Sequence, residues 1–279
     1  MCNVCGCGEG AAPVPGEEEA RGAGDREPDG PDYGASPARA HAPGMDPARM
    51  VRIERDVLAA NDRHAAANRS RLEEQGVLAL NLVSGPGAGK TTLLARTVAD
   101  LAGRLDVAVV GGDQQTDNDA ERVRAAGARA LQVNTGKGCH LDAHMVEHAL
   151  VSLAPAEHGL VFIENVGNLV CPAAFDLGEE AKVVILSVTE GEDKPAKYPD
   201  MFHGADLLVL NKVDLLPHLD FDVARCLDHA RRVNPDLEVV QLSATTGAGL
   251  EDWHAWLAAR RARLLDRLGA APPEPAAGD

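Results

Sequence analysis

Leu80-Asn81-Leu82-Val83-Ser84-Gly85-Pro86-Gly87-Ala88-Gly89-Lys90-Thr91-Thr92 is an apolar run, a glycine-rich turn and the start of a helical pattern. Small residues let backbone N–H groups close around phosphate oxygens, and a helix N-terminus adds positive potential there. Gly85, Gly87 and Gly89 make the cradle. Lys90 is placed to bridge β- and γ-phosphates, the Thr91 hydroxyl to reach Mg²⁺, and Thr92 to follow on the same turn. One position departs from the usual pattern: Ser84 stands where a glycine opens the motif, and Gly85 beside it is expected to supply the flexibility.

Further apolar runs surround this one, at 77–83, 107–110, 160–163, 183–188, 207–210 and 237–242. Helical patterns lie between them at about 90–103, 119–127, 141–153, 221–233 and 250–266. Strands that are apolar without alternation have both faces covered, so the expectation is an α/β fold of the phosphate-loop type. Its sheet is doubly wound and mostly parallel, with helices on both faces. The expected organisation is a Cys-rich tip at 1–7, a Gly/Pro/Glu-rich disordered tether at 8–45, a leading helix at 46–76, the nucleotide domain at 77–268 and a flexible tail at 269–279. Asp46-Pro47 caps the leading helix, and Met50, Ile53, Val57 and Leu58 follow at helical spacing.

The chain has 279 residues, 45% of them hydrophobic but only 3% aromatic, so Ala, Leu and Val must build the core. A net charge of −16 argues against nucleic acid and anionic membrane as partners. No apolar stretch approaches the roughly 20 residues of a membrane helix, and no secretory pattern is visible, so a cytoplasmic, reducing setting is expected.

Asn211-Lys212-Val213-Asp214 ends the run 207–210. A carboxylate at Asp214 can accept from the N1–H and N2–H₂ edge of guanine, which adenine lacks, and Lys212 can pack along loop and base. Ser243-Ala244-Thr245 follows the last run, where a backbone N–H can meet guanine O6. Asp113, after the run 107–110, is the first candidate for a Mg²⁺ ligand, and Asp117 the second. Glu164-Asn165-Val166-Gly167 can link Mg²⁺ water to a γ-phosphate contact at the Gly167 N–H. Lys90, Asp113 and Glu164 form the expected catalytic set. No certain catalytic Gln or arginine finger is visible, so intrinsic hydrolysis is expected to be slow.

Cys2, Cys5 and Cys7 crowd beside the α-amine. A planar sulfur–nitrogen set suits Ni(II) and a tetrahedral one Zn²⁺, while a redox Cys-x-x-Cys pair is the rival reading. Cys139, His140 and Cys171 follow loops on the nucleotide side, and two thiolates with an imidazole can make an open site. Lone cysteines are more often buried hydrophobes, as Cys226 is expected to be. His144 and His148 read as a solvated face.

Taken together, Cys2-x-x-Cys5-Gly6-Cys7, the loop 84–92, Gly112–Asp119, Asn134–Asp142, Glu164–Pro172 and Asn211–Asp214 resemble the HypB family, the nickel-inserting GTPases of [NiFe]-hydrogenase maturation. The resemblance implies binding and hydrolysis of GTP to GDP, and a homodimer formed on nucleotide binding. It implies a tight nickel site at Cys2, Cys5 and Cys7, and a weaker nickel or zinc site at Cys139, His140 and Cys171. Its implied partners are the nickel chaperone HypA and the hydrogenase large-subunit precursor. The only histidine between tip and helix is His41, so bulk nickel storage is not expected. Two alternatives stand beside this: a related GTPase chaperone for another metalloenzyme, and a zinc- or redox-sensing module on a nucleotide-binding scaffold.

Overall fold

The computed structural model describes residues 47–113, 118–136 and 138–269. Helix α1 runs from Pro47 to Glu74. There follow β1 (Leu78–Ser84), α2 (Lys90–Leu101), β2 (Val107–Asp113), α3 (Asn118–Ala125), β3 (Arg129–Asn134), α4 (Ala143–Leu153) and β4 (Leu160–Glu164). The second half comprises β5 (Ala181–Ser187), the short helices α5 (Lys194–Lys197) and α6 (Pro199–His203), β6 (Leu207–Asn211), α7 (Val223–Val233), β7 (Glu238–Gln241) and α8 (Leu250–Leu268). The chain divides into two units at Val57/Leu58. In the first, Val51, Ile53 and Val57 lie on α1 and are exposed. The second holds the rest of α1 and the whole sheet.

The seven strands are ordered β3-β2-β4-β1-β5-β6-β7 and every pair is parallel. Every residue of β1, β4, β5 and β6 is buried, because helices cover both faces of the sheet. Side chains alternate between two cores. Leu78, Leu80 and Leu82 of β1 face a cluster closed by α2 and α8, whereas Ala79 faces one closed by α4 and Leu72 of α1. Trp253 of α8 is the largest side chain in the first core. It stacks on Trp256 at 5.8 Å and donates from Nε1 to the Thr97 hydroxyl at 2.9 Å.

Strand β3 was absent from the expected set. It is an edge strand paired only to β2, and its residues are at most half-buried. Arg129-Ala130-Leu131-Gln132-Val133-Asn134 therefore alternates instead of forming an apolar run, and it is too short for its period to stand out from sequence. The helix ends follow local chemistry: Asp142 and Asp222 cap α4 and α7, accepting from the backbone N–H of Met145 and Arg225.

Truncating Trp253 to Ala removes a fully buried indole and the N–H that the Thr97 hydroxyl accepts, leaving that hydroxyl its bond to the Leu93 carbonyl. The expected loss is about 3–5 kcal/mol of unfolding free energy, read by urea denaturation. A loss well below that range would mean that the α8 face repacks.

Candidate functional site

Parallel strands all release their chains at one edge of the sheet, and the site is built there. β1 lies between β4 and β5, with Leu82 opposite Glu164 and Ser84 opposite Ile185. The turn after β1 opens a cleft of about 450 Å³ lined by the phosphate loop, Glu164–Gly167, Gly111, Gly112 and Lys212. Gly87 and Gly89 take positive φ (76° and 97°) and Gly89 precedes α2 as its N-cap. Left-handed backbone at these two positions turns the chain into the helix. Gly85 does not share it. A Cβ there would lie 2.6 Å from Glu190 Oε1, so a larger residue would displace the end of that side chain. Ser84 is buried. Its hydroxyl donates to the Gly85 carbonyl at 2.7 Å and accepts from Lys90 Nζ at 3.1 Å, so the departure from glycine gives the lysine a partner.

Thr91 Oγ1 donates to Glu164 Oε1 at 2.6 Å. Burial pushes the Glu164 carboxyl above its ordinary range, while Lys90 and the Thr91 hydrogen bond oppose that shift. A hydroxyl and a buried carboxyl facing one cleft are the oxygen donors that Mg²⁺ takes. Asp113 ends β2 beside Asn134 in register; its side chain and the whole of Asp117 lie outside the described residues. Gly167 closes over the phosphate loop, where a Cβ would sit 3.1 Å from Pro86 Cα. The structure also places Arg122 of α3 in the cleft lining with Asp119 and Gln132. Sequence reading had not singled these out: Arg122 resembles any helix-surface arginine, and Gln132 lies on the unrecognised β3.

On the other flank, Asn211 is a buried three-way clamp. Its Nδ2 donates to the Ala88 carbonyl, and its Oδ1 accepts from the N–H groups of Lys212 and Ala244. Lys212 takes left-handed backbone and its Nζ donates to the Gly87 carbonyl at 2.7 Å. Asp214 is exposed on the turn that follows. The Ser243 N–H donates to Ala248 and its hydroxyl accepts from Thr246, which shapes the second base-side loop. Thr92 accepts from Arg122 at 3.4 Å.

Cys139, His140 and Cys171 converge. One ligand atom from each lies within 4.8 Å of the others, and Cys139 Sγ is 3.6 Å from His140 Nδ1. Cys139 and His140 lie between β3 and the Asp142 cap of α4; Cys171 opens a 3₁₀ turn, Cys171–Ala174, after β4. Phe175 packs against the His140 ring, tilted by 48° with centroids 4.1 Å apart, and Lys182 donates to the carbonyls of Ala173 and Phe175. All three donors are partly accessible, as an exchanging metal site requires. His144 and His148 are exposed on α4 with their Nε2 atoms 3.0 Å apart. Cys226 is buried, and burial pushes its thiol up to about 12, so it is inert packing. Cys2, Cys5 and Cys7 lie outside the described residues.

The family model described as "CobW/HypB/UreG, nucleotide-binding domain" matches residues 79–241, which holds the cleft and the sulfur–imidazole cluster. Hydrogenase maturation factor HypB of Azotobacter vinelandii is 57% identical over 296 residues, covering 97% of this chain and 96% of the relative. This chain belongs to the HypB family. Among solved structures, HypB of Archaeoglobus fulgidus matches with a TM-score of 0.69 at 42% identity, over 73% of this chain and all of that one. HypB of Helicobacter pylori in complex with nickel matches at 0.68 and 37%, over 73% and 96%. The HypB fold and its nucleotide-binding domain are thus established for this chain. Among the described residues, no helix is long and apolar enough to cross a membrane.

The raised Glu164 carboxyl has a measurable consequence. Folded Glu164 keeps its proton in a window above about pH 4.3 where the unfolded carboxyl has lost it. Its contribution to stability is therefore full below that pH and is lost as pH rises through the folded value. In nucleotide-free protein, the melting temperature of wild type relative to Glu164→Gln is expected to fall as pH rises from about 4.3. A difference independent of pH would remove burial as the dominant influence on Glu164.

Proposed function

We propose that this HypB-family chain is a GTP-hydrolysing nickel metallochaperone of [NiFe]-hydrogenase maturation. The observation that carries the reading is the convergence of Cys139, His140 and Cys171 on the loop that leaves Glu164. Two thiolates and an imidazole within reach of one ion suit nickel or zinc, and partial exposure suits a cargo that is received and passed on. The nickel-bound relative from Helicobacter pylori supports nickel as that cargo. In the same reading Cys2, Cys5 and Cys7 form the tighter nickel site. HypA-like chaperone and the hydrogenase large-subunit precursor are donor or acceptor partners, and two copies associate when nucleotide binds.

At the cleft, Lys90 neutralises the β- and γ-phosphates, and the phosphate-loop N–H groups hold them. Thr91, Asp113 and Asp117 would hold Mg²⁺ and Glu164 would hold its water; the ion would draw charge from the terminal phosphate. Gly167, against Pro86, offers its N–H to the γ-phosphate, and loss of that phosphate releases the loop. Asp214 selects guanine, and Asn211 keeps base loop and phosphate loop in one frame. Hydrolysis is slow, and its role is to switch the loop that ends at Cys171.

Ni(II) titrated into untagged, reduced protein is expected to give thiolate-to-nickel absorption bands. Deleting residues 1–7 should remove the stronger set, and Cys139→Ser with Cys171→Ser the weaker one. Absence of bands in protein that still hydrolyses GTP would take nickel out of the reading.

Replacing Asp214 by Asn should lower the preference for GTP over ATP by at least about tenfold, since the guanine N–H groups lose an ionised acceptor. Competition between labelled nucleotides reads the ratio, and an unchanged preference would move base selection elsewhere.

A further inference from the structure

Asn165 follows Glu164 and is buried to 1% exposure. Its Oδ1 accepts from its own neighbour, the Val166 N–H, at 3.0 Å, and that bond alone would shape the turn. The side chain does more. The same Oδ1 accepts from the Leu141 N–H at 3.0 Å, and its Nδ2 donates to Asn81 Oδ1 at 3.4 Å. Asn81, fully buried on β1, donates to Glu179 Oε1 at 3.0 Å, and Glu179 Oε2 accepts from the Leu177 N–H at 2.7 Å. Leu141 is the residue after His140, and Leu177 lies in the segment that descends from Cys171 and Phe175. One amide thus joins the loop over the phosphates to the turn that carries Cys139 and His140, and through Asn81 and Glu179 to the segment that carries Cys171.

Buried amides without partners are costly, so Asn165 and its partners move together or exchange bonds together. Asn168, further along the same loop, reaches the Cys139 carbonyl only at 3.4 Å and is partly exposed, which makes it the weaker tie.

We propose that Asn165 is the positioning residue that couples the nucleotide loop to the metal donors. When the γ-phosphate fixes Gly167, Asn165 holds the Leu141 N–H, and Cys139 and His140 face Cys171. When the loop relaxes, that hydrogen bond is released and the three donors spread, which lowers affinity for a divalent thiophilic ion. This rests on the reading above, in which the cleft holds nucleotide and the cluster holds metal.

The test uses the full chain with Cys2, Cys5 and Cys7 changed to Ser, so that only the internal cluster reports. Ni(II) affinity is measured against a chromophoric chelator with Mg²⁺ and either GDP or a non-hydrolysable GTP analogue. The parent is expected to bind Ni(II) at least about tenfold more tightly with the analogue. Asn165→Ala should bring the ratio to within about twofold of unity. A ratio of unity already in the parent overturns the gate itself. A parent ratio that survives in Asn165→Ala overturns the assignment to Asn165 alone. Should the Ala variant not fold, amide exchange at Leu141 in the parent decides. At least about tenfold greater protection with the analogue supports the coupling, and equal protection in both states sinks it.

Discussion

Two-faced burial of β1 between β4 and β5 is the constraint from which the rest follows. A strand covered on both sides has no polar face to offer, and parallel pairing forces every neighbour to run the same way. All the strand ends that matter therefore open on one edge. Ser84, Glu164, Asn211 and the end of β2 arrive there together because the hydrophobic interior leaves no other exit.

That edge concentrates polar groups that the core cannot tolerate singly. Glu164 is a buried carboxyl beside Lys90 and Thr91, and burial makes its charge costly. Asn211 ties the phosphate loop, its own turn and the loop at Ala244 together with one buried amide. Close approach does comparable work at Gly167. A Cβ at Gly167 would press on the Pro86 backbone at 3.1 Å, so the two loops pack directly against each other.

Buried asparagines recur beyond the cleft. Asn61 and Asn68 of α1 hold the ends of the turn 176–178 and the start of α4, where Asn68 donates to the carbonyls of Ala143 and Leu177. The leading helix is thereby joined to the segments on either side of the sulfur–imidazole cluster. Bonds of this kind fix orientation more than they add net stability, because each replaces a bond to water. Cys139, His140 and Cys171 stand on short turns, and these polar anchors define where the turns point.

The phosphate loop, the Asn-Lys-x-Asp turn and six of the seven strands are legible in the residues, because each depends on local chemistry: glycine at tight turns and apolar runs for covered strands. The remaining parts are not local. β3 sits at an edge where burial is shallow, so its residues carry no continuous apolar pattern. Cys139, His140 and Cys171 were legible as residue types able to hold a metal, but nothing in their spacing brings them within 4.8 Å. That proximity comes from sheet order, which leaves the chain after β3 and the chain after β4 on the same edge and folds both turns over it. Asn165 reads in sequence as one polar residue of a loop. Its partners Leu141 and Asn81 come from other strands and turns, and only packing in three dimensions decides which amide a buried carbonyl will meet.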